Sequence, residues 1–349
     1  MTIPRPPTLK SLKAFRVRGE RMVEISDRVY GKEEITEPVL LELMRTGAMQ
    51  RLKGISQYGM PDDYYHRKGF SRYEHSVGVL ILLRRLGADL KEQVAGLLHD
   101  VSHTAFSHVV DWVVGDPSVE DYQDNLLLET LKQDELSSLL KKYDFDLYEI
   151  ADLEIFSLLE QPAPKLCADR IDYVLREVAL EGDSVEEIVD DLRYYNGEIV
   201  FNSLELAEKF GLLYSLCQKD HWAGDQAKAR YHVLSYLLKQ AFDRGILSVE
   251  DLHRRQDKDI LSFLHEVDHE GIKEGLKLLQ DGLTVRSASS DEGVLIKKKF
   301  RYIDPDVIVE GDVRPLSALS HSYSELLKND RKRNEQEEYV TIHPLEVVS

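Results

Sequence analysis

Apolar side chains recur along this chain mostly at helical spacing, with period-2 alternation confined to its two ends. Val23 and Ile25 alternate ahead of a turn at Tyr30-Gly31, which predicts a short β-hairpin over residues 21–36. From Pro38 the period lengthens: Val39, Leu40, Leu43 and Met44 line one helical face, with Pro38 in the first turn. Helical spacing continues over 49–58, gives way to a Gly/Pro/Asp loop at 59–69, and resumes over 72–86, where Gly87 ends it. Val94, Leu97, Leu98 and Val101 predict the next helix over 90–101. Further helices are expected at 104–114, 121–142, 147–160, 163–181, 185–194 and 203–245. Residues 251–280 read as two amphipathic helices rich in charged i,i+4 neighbours. Leu295–Val309 and Tyr339–Ile342 alternate as strands do, and 328–338 reads as a charged loop or solvated helix end. The expected fold is therefore mainly α: a flexible tail over 1–20, a helical core over 21–248 opened by the hairpin, and a small α+β region over 249–349. The last region is a candidate for oligomer contacts or regulation.

Composition narrows the function. With 349 residues, 42% of them apolar, the chain can bury a large core. Its 63 acidic residues outnumber 45 Lys and Arg, for a net charge of −18, which argues against a nucleic-acid scaffold, since duplex binding relies on clustered cations. A single nucleotide is not excluded. Residues 51–85 hold seven cations against three carboxylates, a local +4. Two cysteines, Cys167 and Cys217, make no disulfide framework and fit a reducing compartment. No apolar run approaches the ~20 residues of a membrane span, and Met1–Arg18 lacks a secretory h-region. A cytoplasmic protein is expected, with nuclear or organellar placement left open.

Histidine is the uneven residue. Of 12, five fall between His66 and His108 and none between His108 and His221. Three pieces concentrate the chemistry: Arg72-Tyr73-Glu74-His75, the run Leu98-His99-Asp100-Val101-Ser102-His103 on to His108, and Asp169-Arg170-Ile171-Asp172-Tyr173. Imidazoles and carboxylates suit a divalent cation such as Mn, Fe, Ni, Zn or Mg. An aspartate on an otherwise apolar helix is costly unless a cation compensates it. His103 lies one helical turn after His99 and can face the same cavity, whereas His108 would point away on an unbroken helix. A break is expected near Ser102–Ala105.

These stretches, with Gln50-Arg51-Leu52…Ile55-Ser56-Gln57 and His75-Ser76-Val77-Gly78-Val79, resemble the HD-domain superfamily of metal-dependent phosphohydrolases. They are closest to its deoxynucleoside triphosphate triphosphohydrolase branch, over about a third of the chain. The resemblance implies one divalent metal held by His75, His99, Asp100 and Asp169. It also implies Arg72, Gln57, Arg170 and Tyr173 as substrate contacts, and His103 acting with Asp100 and His108 in catalysis. The implied reaction is hydrolysis of a nucleotide, releasing triphosphate from a deoxynucleoside triphosphate. A nucleotide phosphomonoesterase and a low-turnover nucleotide-binding regulator are the alternatives. A homo-oligomer is common in the branch. Two departures stand out. Glu120–Asn125 has no histidine where the branch carries a further catalytic one, and Glu177 replaces an aspartate that contacts the sugar. The stretch Lys219–Asp225 matches poorly.

Some conspicuous residues have plainer readings. His66 is expected at a loop surface, Lys297-Lys298-Lys299 on an edge strand, Trp112 and Val109-Val110 in the core, and Cys167 as a buried small residue.

Overall fold

The structure is a computed structural model that describes residues 13–17, 20–120, 122–296 and 299–343. Its frame is three helices. Arg72–Arg85 opens on a capping box, in which Ser71 Oγ accepts from Glu74 N while Glu74 reaches back to the Ser71 backbone. Eleven of its fourteen residues are buried, so this helix runs through the interior and carries no solvent-facing stripe. Gly87, in the left-handed region at φ 83°, reverses the chain into Leu90–Leu98, which packs back on it. Ala168–Glu181 crosses Arg72–Arg85 on another side.

The second helix is shorter than its apolar spacing predicts, stopping at Leu98 with His99 as its C-cap. The break thus falls three residues ahead of Ser102. Beyond it the backbone turns through two left-handed residues, Phe106 (φ 65°) and Ser107 (φ 47°), into a 3-10 turn over Ser107–Trp112. Asp257 fixes that turn from far along the chain: its carboxylate accepts from Phe106 N and Ser56 N, both at 2.8 Å.

Strands form three small sheets. The expected hairpin is present as Glu20–Asp27 and Gly31–Ile35, and Lys13–Val17 adds a third antiparallel strand from the segment expected to be a tail. Residues 1–12 lie outside the described residues. A four-stranded sheet, of which only Asp306–Val309 falls in a stretch expected to be extended, joins Leu192–Tyr195 and Glu198–Phe201 to Asp306–Val309 and Asp312–Pro315. Phe201 pairs with Val307 in parallel, tying the late chain to the helical body. Tyr339–His343 lies between Thr284–Ala288 and Val294–Leu295. The region 249–281 makes three helices, Val249–Arg254, Asp257–Glu266 and Glu270–Asp281, where two were expected. The charged stretch from 328 continues the helix His321–Asn334. One apolar cluster runs from Val23 to Ile342, and it includes Trp112, Val109 and Val110. No helix among the described residues is long and apolar enough to cross a membrane.

Candidate active site

The three frame helices bring four widely spaced residues together. His75 sits in the first turns of Arg72–Arg85, His99 and Asp100 at the end of Leu90–Leu98, and Asp169 in the first turn of Ala168–Glu181. His75 Nε2 lies 2.8 Å from Asp169 Oδ1 and 3.2 Å from His99 Nε2, and His99 Nε2 is 3.5 Å from the same carboxylate. His75, His99 and Asp169 have ligand atoms that all lie within 4.8 Å of one another; Asp100 stands at the edge of this trio, 3.8 Å from His75 Nε2 and 3.6 Å from His99 Nε2, with its Oδ2 held by Arg72.

The hydrogen bonds on the far side of each ring decide what this group wants. His99 Nδ1 is 2.7 Å from the carbonyl oxygen of Gly96, which can only accept, so Nδ1 carries the proton. His75 Nδ1 likewise donates to Asp172 Oδ2 at 2.8 Å. In the neutral rings both Nε2 lone pairs then point at each other and at Asp169. Such a cluster needs a cation or a proton at its centre, and the donor set fits a divalent metal with its imidazoles oriented from behind. The electrostatics agree. Burial works against charging His75, yet the Asp169 and Asp172 carboxylates outweigh it and push its imidazolium up to about 9. His99 is raised in the same way, burial being overcome by Asp100 and Asp169. Burial also opposes ionisation of Asp169 and Asp100, and their cationic neighbours still hold both well below the usual carboxylate range.

Behind His75 runs a buried chain of ion pairs of which only Asp172 lies in a matching stretch. Asp172 accepts from Arg176 Nε at 3.0 Å and Nη2 at 2.8 Å, and Arg176 Nη1 reaches Asp27 Oδ2 at 2.9 Å. Asp172 and Arg176 are both fully buried. A second group, Glu160, Cys167 and Asp169, also has its ligand atoms within 4.8 Å of one another. Arg170 Nη2 stands 3.4 Å from that Glu160, yet burial and the Asp169 charge still push the Glu160 carboxyl up to about 7. Cys167 is buried, as its plain reading predicts.

The cluster opens on a cavity of about 350 Å³. Arg72, Gln57, His103, His108, Arg170 and Tyr173 all line it, so every residue expected to touch substrate does face one space. Their states differ. Arg72 donates to Asp100 Oδ2 at 2.7 Å and Ser107 Oγ at 2.8 Å, while its Nη2 has no partner among the described residues. His103 Nε2 is 3.2 Å from Asp100 Oδ1, and its Nδ1 finds no partner among the described residues. Burial and the Arg72 charge hold His103 well below the usual imidazole range, hence neutral. The left-handed step at Phe106-Ser107 swings His108 back to the cavity, its ring centroid 5.1 Å from that of His103. Arg170, expected to face phosphate, spends its guanidinium on the carbonyls of Lys165 (2.5 Å) and Gln161 (3.1 Å). Tyr173 OH meets Tyr214 OH at 2.9 Å.

Other lining residues come from beyond the matching stretches. Glu177 accepts from His221 Nδ1 at 2.6 Å and Trp222 Nε1 at 2.9 Å, and His221 Nε2 meets Tyr65 OH at 2.9 Å. His221 and Trp222 sit in a wide π-helical turn, Gln218–Trp222, a distortion often found at functional sites. His66 packs beside His221, with ring centroids 5.6 Å apart, and is half-buried where a surface place was expected. Lys228, Lys299 and Arg301 line the wall with Glu120. Lys297 and Lys298 lie outside the described residues, and Lys299 turns into the cavity wall, not onto a strand edge.

An imidazole–carboxylate cation site under a cavity with a free guanidinium nitrogen is the equipment of a metal-dependent phosphohydrolase, and the chain belongs to the HD-domain family of these enzymes. The HD-domain model matches residues 72–177. The chain is 38% identical to the uncharacterized protein YdhJ of Bacillus subtilis over 293 residues, 82% of this chain and 89% of that protein. It is 30% identical to the metal-dependent phosphohydrolase cns2 of Cordyceps militaris over 322 residues, 89% of this chain and 92% of that one. Similarity to the deoxynucleoside triphosphate triphosphohydrolase SAMHD1 of Bos taurus is local: 35% identity over 119 residues, 29% of this chain and 20% of that protein. A solved phosphohydrolase from Bacteroides thetaiotaomicron shares the fold, with a TM-score of 0.66 at 18% identity, covering 91% of this chain and 99% of that one.

Proposed function

We propose that this protein hydrolyses a phosphate ester of a nucleotide, with His75, His99, Asp100 and Asp169 holding one divalent metal. The observation that carries the reading is the facing pair of Nε2 atoms, 3.2 Å apart and backed by Asp172 and Gly96, at the floor of an aromatic-walled cavity. A divalent ion at such a site neutralises phosphoryl charge and makes water a nucleophile near neutral pH. The chain's own residues supply the rest. Arg72 is pinned by Asp100 and Ser107 so that Nη2 is left for a phosphoryl oxygen. His103, neutral and with Nδ1 unengaged among the described residues, can accept a proton from the attacking water and pass it to the leaving oxygen, His108 beside it. Tyr58, Tyr65, Phe70, Tyr173 and Trp222 offer ring faces to a base, and Gln57 offers an unengaged carbonyl oxygen.

Release of triphosphate from a deoxynucleoside triphosphate is supported by the motif spacing and by the local likeness to SAMHD1. A second reading, removal of a single phosphate, is favoured by the state of the wall. Arg170 is bound to backbone carbonyls, and Glu177 is claimed by His221 and Trp222.

The deciding experiment incubates the full chain with Mn or Mg and each of the deoxynucleoside triphosphates, ribonucleoside triphosphates and nucleoside monophosphates. Products are resolved as inorganic triphosphate or orthophosphate. Nucleotide binding without turnover, under every metal tried, rejects both enzyme readings and leaves the nucleotide-binding regulator.

A further inference from the structure

Glu120 is a conspicuous group in the cavity wall that the proposed chemistry does not use. It lies outside the metal cluster and is 2% exposed. Its backbone is left-handed, φ 56°, a conformation non-glycine residues adopt rarely and mostly for a reason. That turn aims its carboxylate between two cations from distant parts of the chain. Glu120 Oε1 lies 3.2 Å from Lys228 Nζ, and Oε2 accepts from Arg301 Nη2. Lys228 is 1% exposed and comes from helix Asp225–Asp243; Arg301 comes from the stretch that precedes strand Asp306–Val309. All three line the cavity, together with Lys299. Next to them Gln123, 7% exposed, holds a side-chain oxygen with no partner among the described residues.

A buried carboxylate with a cation on each oxygen has the valence of a phosphate oxygen pair. Two cations set to meet one anion form an anion subsite, and here the protein's own side chain fills it. A bound phosphoryl group would have to displace Glu120 or stay out. Arg72 beside the metal cluster and the Lys228–Arg301 pair line the same cavity, so a polyphosphate chain bound at the first can extend toward the second.

We propose that Glu120 limits the number of phosphates the cavity accepts: by occupying the Lys228–Arg301 subsite it selects a nucleoside monophosphate over a triphosphate. This rests on the nucleotide phosphohydrolase reading and deepens it. A purely structural tie would anchor Arg301 equally well but would leave the choice of substrate untouched, and the two are separable.

The test uses the full chain, and its probes are inorganic tripolyphosphate and orthophosphate, titrated calorimetrically into wild type and Glu120→Gln. The amide keeps the shape and removes the competing charge. Tripolyphosphate affinity should rise at least tenfold in Glu120→Gln while orthophosphate affinity changes less than threefold. Unchanged or weakened tripolyphosphate binding in a folded variant, by melting temperature, overturns the proposal. A second measurement needs no variant. The wild-type enzyme should show kcat/KM at least tenfold higher for a nucleoside monophosphate than for the triphosphate of the same nucleoside, and the reverse preference overturns the proposal even if Glu120→Gln does not fold. Absence of turnover on every nucleotide sinks the phosphohydrolase reading instead, and the tripolyphosphate titration still judges Glu120 alone.

Discussion

Gly78→Ala tests the link between the helix frame and the metal cluster without touching any residue of the cluster. In a helix interior this change normally stabilises, by about 1 kcal/mol. Here a Cβ on Gly78 would stand 1.9 Å from Arg176 Nη2, 2.1 Å from Asp172 Oδ1 and 2.8 Å from Asp172 Cγ. Both neighbours are fully buried, and each is held by hydrogen bonds on its other side, so neither has an easy retreat. Breaking one partner out of a buried ion pair costs roughly 3–5 kcal/mol, which outweighs the helical gain and leaves a net loss of about 2–4 kcal/mol. The second consequence is local to function. Asp172 orients His75, and loss of such a supporting carboxylate typically weakens metal binding about 10- to 100-fold. Urea denaturation of the metal-free protein reads the first effect, and competition for Mn against a chelating dye reads the second. A variant as stable as wild type, with Mn affinity within about twofold, would refute the reasoning that the Asp172–Arg176 pair aligns His75.

Three further outcomes follow from the same geometry. Asp100→Ala should abolish bound metal and activity together, and metal retained at wild-type stoichiometry would remove Asp100 from the ligand set. Arg72→Lys keeps the charge but cannot meet Asp100 Oδ2, Ser107 Oγ and a phosphate at once, so kcat/KM should fall about 100-fold with metal content unchanged; loss of metal instead would make Arg72 a support for Asp100 and not a phosphate contact. Asp257 links pH to stability: burial, working against two backbone N–H donors, pushes its carboxyl up to about 7. A folded-state value above the unfolded one means the stabilisation is complete below about pH 4 and is lost as pH rises to about 7, roughly 4 kcal/mol in all. Urea midpoints of wild type should therefore fall relative to Asp257→Asn across that window and run parallel above it; parallel curves throughout would show that Asp257 is ionised in the fold.

How legible was this protein in its sequence? The frame helices and the convergence of His75, His99, Asp100 and Asp169 are legible because their signals are local. An apolar period sets each helix, and His75, the His99-Asp100 pair and Asp169 each sit beside it on an otherwise apolar face. The hairpin was readable for the same reason, although not the strand Lys13–Val17, whose only cue is pairing with Glu20–Asp27. His108 could not be placed from spacing, because its direction depends on two left-handed residues, Phe106 and Ser107, which are neither glycine nor asparagine. Arg170 lines the cavity with the other expected contacts, but the Lys165 and Gln161 carbonyls curl back and take up donors of its guanidinium, which spacing alone does not show.

What the residues determined alone, then, is the helical class and a candidate donor set of the kind that suits a divalent metal, since periodicity and ligand type are properties of short stretches. The tertiary structure decided which groups share the cavity. His221 meets Glu177 across 44 positions, Lys228 meets Glu120 across 108, and Arg301 meets Glu120 across 181. Such encounters leave no periodic trace, because a buried carboxylate needs only that cations arrive, not where along the chain they come from. The substrate choice proposed above rests on those encounters, and the proposed chemistry on the motif.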